Sequence, residues 1–210
     1  MPLVTKKYVR EDCLLGIWEI TEDFNTLRQA VNLDELDLQR LNSFRNHKRK
    51  LEWLSVRNLV TRLVGKHAKI VYNEINKPFL FDNSFNISIS HSNNLTSILL
   101  SKNHRVGIDL EYMSHRISNI SFKFINNKET ITLDASLKRY HLYLHWCAKE
   151  ALYKICDKQD INFKENITIL PFKLKDKGEI KGIVENKHGT EEFLMDYIKL
   201  NNYAIVWSIK

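Results

Sequence analysis

The chain is poor in the residues that staple or break a fold: 210 residues hold three cysteines, three prolines and six glycines. The cysteines, Cys13, Cys147 and Cys156, are odd in number and show no C-x-x-C spacing, which excludes a disulfide framework or a zinc ribbon and leaves reduced thiols. No apolar run approaches the roughly 18 residues a membrane-spanning helix needs. The first residues, MPLVTKKYVRED, lack a long apolar segment followed by a cleavage site, so the expectation is a cytoplasmic protein with no membrane partner. Phosphate-binding glycine motifs are missing too. Gly65-Lys66 has neither the preceding glycine nor the following Ser or Thr of a P-loop, and no G-x-G-x-x-G occurs.

What is present is the material of a folded body. Apolar residues make up 43% of the chain and charged residues 27%, without low-complexity tracts or obvious linkers, so a real core is expected and extensive disorder is not. The formal net charge of +7 favours anionic partners such as phosphorylated cofactors, nucleic acids or acidic proteins, without choosing among them.

The chain alternates between two textures. CLLGIWEI (13–20) reads as a short buried strand, and 33–64 reads as one long helix with no Gly or Pro, capped by Asn32 or Asp34 and stopped at Gly65. That helix carries the basic cluster RNHKRK (45–50) and Arg57. Strand-like runs follow: AKIVYNEI (68–75), FNISIS (85–90), TSILLS (96–101) and RVGIDLE (105–111), which read as an antiparallel meander. A second long helix is expected from about 136 to 157. On it Leu137, Leu144, Ala148, Ala151 and Ile155 fall within an arc of about 60° and define a buried stripe. ITILPF (167–172), IKGIV (180–184), EEFLM (191–195) and NYAIVWSI (202–209) again read as strands. The pattern predicts an α+β fold of two similar halves meeting near residue 105, although no clear sequence repeat accompanies it.

Within VGIDLE the period of a strand puts Asp109 and Glu111 on one face while Ile108 and Leu110 turn inward. Two adjacent carboxylates suit a hard divalent cation, or they are a solvated pair at a strand end. HWCAKEALYK (145–154) places Glu150 and Lys154 one turn apart on the flank of the buried stripe, either as a surface ion pair or as groups aimed into a cleft. His141 and His145 have zinc-ligand spacing, but Leu142 stands where H-E-x-x-H requires glutamate, and both lie on the flank opposite Glu150. Ser90, His91 and Ser92 end an alternating strand, as phosphate donors or as plain turn chemistry. Lys77 precedes Pro78, which holds its backbone extended and can aim its ammonium at an anion.

Taken in order, NKPF (76–79), ISISHS (87–92), VGIDLE (106–111) and WCAKEALYK (146–154) resemble the 4′-phosphopantetheinyl transferase superfamily, in its two-halved surfactin-synthetase-activating type. The motif-bearing part runs from roughly residue 48 to 154. The resemblance implies two pseudo-duplicated halves, 1–105 and 106–210, each a long helix on a small antiparallel sheet, forming one compact monomer with the site between them. It further implies that Asp109, Glu111 and Glu150 hold Mg²⁺, with Mn²⁺ as an alternative. Lys149, Lys154, Ser90, His91 and Lys77 would meet the phosphates of coenzyme A, and Lys48, Arg49 and Arg57 its 3′-phosphate region. Asn76 replaces the family's usual glycine in the turn before Pro78.

The reaction so implied moves the 4′-phosphopantetheine arm of coenzyme A to a serine of an apo acyl or peptidyl carrier protein, releasing 3′,5′-ADP. Glu150 or a water takes the serine proton, and Lys154 meets charge on the leaving group. Positive net charge fits a polyanionic cofactor and an acidic carrier. Three rivals share parts of the pattern: a nucleic-acid module using RNHKRK and Arg57, a metal-dependent phosphodiesterase, and a family member that binds coenzyme A without transfer.

Overall fold

The computed structural model describes residues 2–65, 68–156, 161–187 and 189–210. It is an α+β protein whose chain divides into two compact units, 1–103 and 104–210.

In the first unit β1 (Leu3–Arg10), β2 (Cys13–Glu19), β5 (Asn86–Ser92) and β6 (Leu95–Ser101) form an antiparallel sheet in the order β1-β2-β6-β5. The short strands β3 (Ile70–Tyr72) and β4 (Pro78–Leu80) pair only with each other. The expected meander is therefore corrected: β5 and β6 are a hairpin, β3 and β4 stand apart, and the strand of VGIDLE belongs to the other unit. The single long helix expected over 33–64 is two, α2 (Glu35–Ser43) and α3 (His47–Val64), preceded by α1 (Phe24–Gln29). The break has a local cause. Asn46 is extended and its side chain accepts from the Lys48 N–H at 2.8 Å, starting a new helix after the extended Phe44. Asp34 caps α2 by accepting from the Asp37 N–H. The core of this unit gathers Trp18, Leu54, Leu59, Ile98 and Leu100 between sheet and α3.

In the second unit β7 (Val106–Tyr112), β8 (Ile167–Ile169), β9 (Lys177–Asn186), β10 (Gly189–Leu200) and β11 (Tyr203–Ile209) form an antiparallel sheet in the order β7-β11-β10-β9-β8. The short helix α4 (Ile117–Ile120) precedes the main helix α5 (Ala135–Ile155), and α6 (Phe163–Asn166) follows it. The sequence end of α5 at 157 lies outside the described residues. Leu144, Ala148, Ala151 and Ile155 are buried as the stripe requires, but Leu137 is 43% exposed, within a first stretch of α5, residues 135–139, that is exposed throughout. The core gathers Leu144, Ala148, Leu152, Ile180, Met195 and Val206; each fully buried leucine contributes about 2 kcal/mol.

The two units share a strand order. In each, an early strand (β2 or β7) pairs with the unit's last strand (β6 or β11), which pairs in turn with the one before it (β5 or β10), and the long helix lies between in sequence. Each early strand meets its helix at a glycine. A Cβ on Gly16 would touch Leu59 and Leu63 of α3, and one on Gly107 would run into the Ala151 carbonyl of α5. Removing the side chain lets the helix lie close to the strand.

Candidate functional site

In the second unit the close approach at Gly107 aligns α5 with the acids of β7. Asp109 lies opposite Val206 and Glu111 opposite Ala204 of β11, so both occupy one face, while Ile108 and Leu110 are fully buried on the other. Asp109 is 4% exposed, more deeply set than a solvated strand end would be. A carboxylate buried this far needs a positive partner. It finds one in Lys154, whose ammonium donates to Asp109 Oδ1 at 2.7 Å and to the Ile108 carbonyl at 2.9 Å. Glu150, half-buried, lies one turn earlier on α5, and Glu111 is half-buried too. Cys147 records the field of the strand acids. Burial first, and then the nearby charges of Asp109 and Glu111, push its thiol well above the ordinary value.

No three His, Cys, Asp or Glu side chains among the described residues stand together as a ready cation site. The expected ligands Asp109, Glu111 and Glu150 do not stand together as such a site, and Lys154 holds Asp109 Oδ1. The donor set itself suits a hard cation: Asp109, Glu111 and Glu150 offer only oxygen, and the buried carboxylate of Asp109 already takes a positive charge.

Lys149 corrects the sequence expectation. Its side chain is fully buried, and its ammonium donates to the carbonyls of Phe124 (2.6 Å), Phe163 (2.9 Å) and Ile167 (2.8 Å) and to Glu129 Oε2 (2.9 Å). Desolvation lowers its pKa, with the Glu129 carboxylate pulling the other way. With every proton spent indoors, Lys149 is a structural hub and not a phosphate contact. Glu129 completes the hub by accepting from the Asn126 and Ile169 N–H groups. The histidine pair is also internal. His141 Nδ1 accepts from the Thr132 N–H, His145 Nδ1 donates to the His141 carbonyl, and both rings pack on Phe172. Among the described residues no third His, Cys, Asp or Glu joins them as a cation site.

In the first unit α3 and β5 bring Arg49 and His91 together, with Arg49 Nη1 against His91 Nε2. Glu52, one turn along α3 and only 9% exposed, approaches both: its Oε2 is 3.3 Å from Arg49 Nη1 and 3.4 Å from His91 Nδ1. Sequence reasoning missed Glu52 and Glu129; the spacing Arg49-x-x-Glu52 was the one signal for the former. Lys48 is exposed near the start of α3, and Ser90 is buried in β5. Lys77 follows Asn76, whose φ of 59° is left-handed, a backbone that glycine adopts at no steric cost. The turn is tied by the Lys77 N–H donating to Asn73 Oδ1 at 2.8 Å. Arg57 departs from expectation. It is 6% exposed, donates to Asp37 Oδ1 at 2.9 Å and stacks on Trp53, so it braces α2 against α3, while its Nη1 has no hydrogen-bond partner.

Comparison with known proteins falls on the second unit. Residues 105–208 match the family model of the 4′-phosphopantetheinyl transferase superfamily. No curated protein matches the chain. Among the described residues no helix is long and apolar enough to cross a membrane.

Proposed function

We propose that this chain transfers the 4′-phosphopantetheine group of coenzyme A to a serine of an apo acyl or peptidyl carrier protein, as a monomeric cytoplasmic enzyme of the surfactin-synthetase-activating type. The observation that carries the reading is the seating of Lys154 of α5 on Asp109 of β7, within the segment that matches the superfamily. In the reaction the serine Oγ forms a bond to the phosphorus bearing pantetheine, and the bond from that phosphorus to the 3′,5′-ADP oxygen breaks. Lys154 meets the charge that develops on the leaving phosphate, a role open to an ammonium held by one ion pair and one carbonyl. Glu150 or a water accepts the serine proton; a carboxylate that also binds a cation is the weaker base.

Asp109, Glu111 and Glu150 would hold Mg²⁺ or Mn²⁺. Bound there, the cation supplies charge neutralisation on the diphosphate and helps fix its orientation. Arg49, His91, Lys48, Lys77 and Ser90 of the first unit serve the coenzyme A phosphates in this reading, and the shared strand order of the units supports a pseudo-duplicated chain. Incubation with coenzyme A, Mg²⁺ and apo carriers of the fatty-acid, polyketide and peptide-synthetase types, followed by carrier mass, tests it. The expected product is a phosphopantetheine adduct on at least one carrier, abolished by Asp109→Ala or Glu150→Ala. An unmodified carrier throughout would overturn the reading, and normal turnover in either variant would remove the cation site.

A further inference from the structure

We propose that a cavity of the first unit, where α2 and α3 meet the approach to β3, binds a small zwitterion with an aliphatic side chain, a free α-amino acid of the leucine type. The site is independent of the transferase reading. Every residue on its wall falls between 31 and 70, outside the segment 105–208 that matches the superfamily. It is also remote from the Arg49–Glu52–His91 cluster. At about 100° per residue, Arg57 and Thr61 on the cavity wall stand about 140° and about 180° around α3 from Glu52.

The cavity holds about 400 Å³, within the range of small-molecule sites, and two residues of each charge line it. Arg57 donates from Nε (3.3 Å) and Nη2 (2.9 Å) to Asp37 Oδ1, and the Lys69 ammonium donates to Asp34 Oδ2. That last hydrogen bond holds the Asp34 carboxyl below its ordinary value and the Lys69 ammonium above its own, so both stay charged. The four charges sum to zero. A phosphate dianion meets two carboxylates beside the two cations and gains little. A zwitterion can set its carboxylate by Arg57 and Lys69 and its ammonium by Asp37 and Asp34, gaining at both ends. Val31, Leu33 and Ile70 give the same cavity an apolar wall for an aliphatic side chain.

Arg57 is the group that lacks a partner. Its guanidinium is buried, two of its three nitrogens are spent on Asp37, and Nη1 has no hydrogen-bond partner among the described residues. A buried donor left unpaired is costly, and a guanidinium is shaped to bind carboxylate. The carboxylate of an amino acid would give Nη1 the acceptor it lacks. Stacking on Trp53 fixes the plane of the guanidinium, and Thr61, one turn along α3, adds a hydroxyl to the same wall. Lys69, with 36% of its side chain exposed, is the adjustable cation of the four residues.

Calorimetric titration of the full chain with L-leucine, 4-methylpentanoate and 3-methylbutylamine separates the parts, because the second lacks leucine's ammonium and the third its carboxylate. Leucine is expected to bind, and each half-ligand to bind at least about tenfold more weakly. Lys69→Gln is expected to weaken leucine about tenfold and to leave the amine nearly unchanged. Ala68→Phe fills the cavity from its rim, leaves the four charges in place and is expected to abolish binding. Arg57→Lys, which removes Nη1 and keeps the charge, should weaken leucine by a similar factor; if it unfolds, the Lys69 and Ala68 variants decide. The proposal is overturned if leucine does not bind, if it binds no better than both half-ligands, or if Ala68→Phe binds it as the wild type does. Inorganic phosphate bound more tightly than leucine would overturn it in favour of an anion site. No arm depends on carrier modification, so failure here leaves the transferase reading untouched.

Discussion

Lys149 brings a full ammonium into the interior of the second unit and is matched there by Glu129, both side chains being wholly buried. Charges in such a place are costly singly and tolerable as a satisfied pair, so the two residues should be tested together. Lys149→Met alone strands the Glu129 carboxylate and is expected to cost about 3–5 kcal/mol in a urea titration, while adding Glu129→Leu should recover most of the loss. An unchanged midpoint in the single variant would show that the pair is not holding α5 to residues 124–129 and 163–169. This residue also shows what a sequence can reveal. Asp109 was legible because a strand has period two, and its buried neighbours Ile108 and Leu110 follow from the same alternation. Lys149 was not, because its partners lie 14 to 25 residues away and three of them are backbone carbonyls, to which any residue type contributes alike.

Between elements, the decisive contact is the approach of α5 to β7 over Gly107. An alanine there would place its Cβ against the Ala151 carbonyl, with Ile155 Cβ at 3.1 Å, and backbone cannot yield as a side chain can. Gly107→Ala is therefore expected to lift α5, cost about 2–4 kcal/mol, and move Lys154 off Asp109. Gly16→Ala in the first unit meets only the methyl ends of Leu59 and Leu63, which can turn aside, and should cost about 1 kcal/mol. Paired melting curves decide the matter: equal shifts in Tm would refute the distinction. The elements themselves were read unevenly. α5 follows from its helical stripe and the strands from β5 to β11 from short apolar or alternating runs bounded by polar turns; β6 and β11 are buried at every position, so for them the length of the run was the signal and not one buried face. The division of α2 from α3 escaped because it is made by the Asn46 side chain within a polar stretch free of Gly and Pro. β1 escaped because LVTKKYVR is an edge strand with charged residues outward and irregular register, a pattern that guards against further pairing and hides the strand.

At the scale of the whole molecule the two units carry separate cores, one drawn from residues 14–100 and the other from 113–206, so they can differ in stability and in its dependence on pH. His145 supplies such a difference. Its imidazole is 2% exposed, and burial pushes its pKa from the ordinary 6.5 down to about 3; His141 is lowered in the same direction by the same cause. The unfolded chain thus binds more protons than the folded one between about pH 3 and 6.5, which means that stability rises with pH across this window and is lost on acidification. From pH 7 to about 4 the cost to the second unit through His145 is about 3 kcal/mol. Urea midpoints should fall accordingly in the wild type and fall less in His145→Gln, whose amide does not titrate. Hydrogen-exchange mass spectrometry at the acid end should find peptides of 104–210 opening before those of 1–103. A wild type and variant with parallel acid dependence would mean that the buried imidazole is not what ties the second unit to neutral pH.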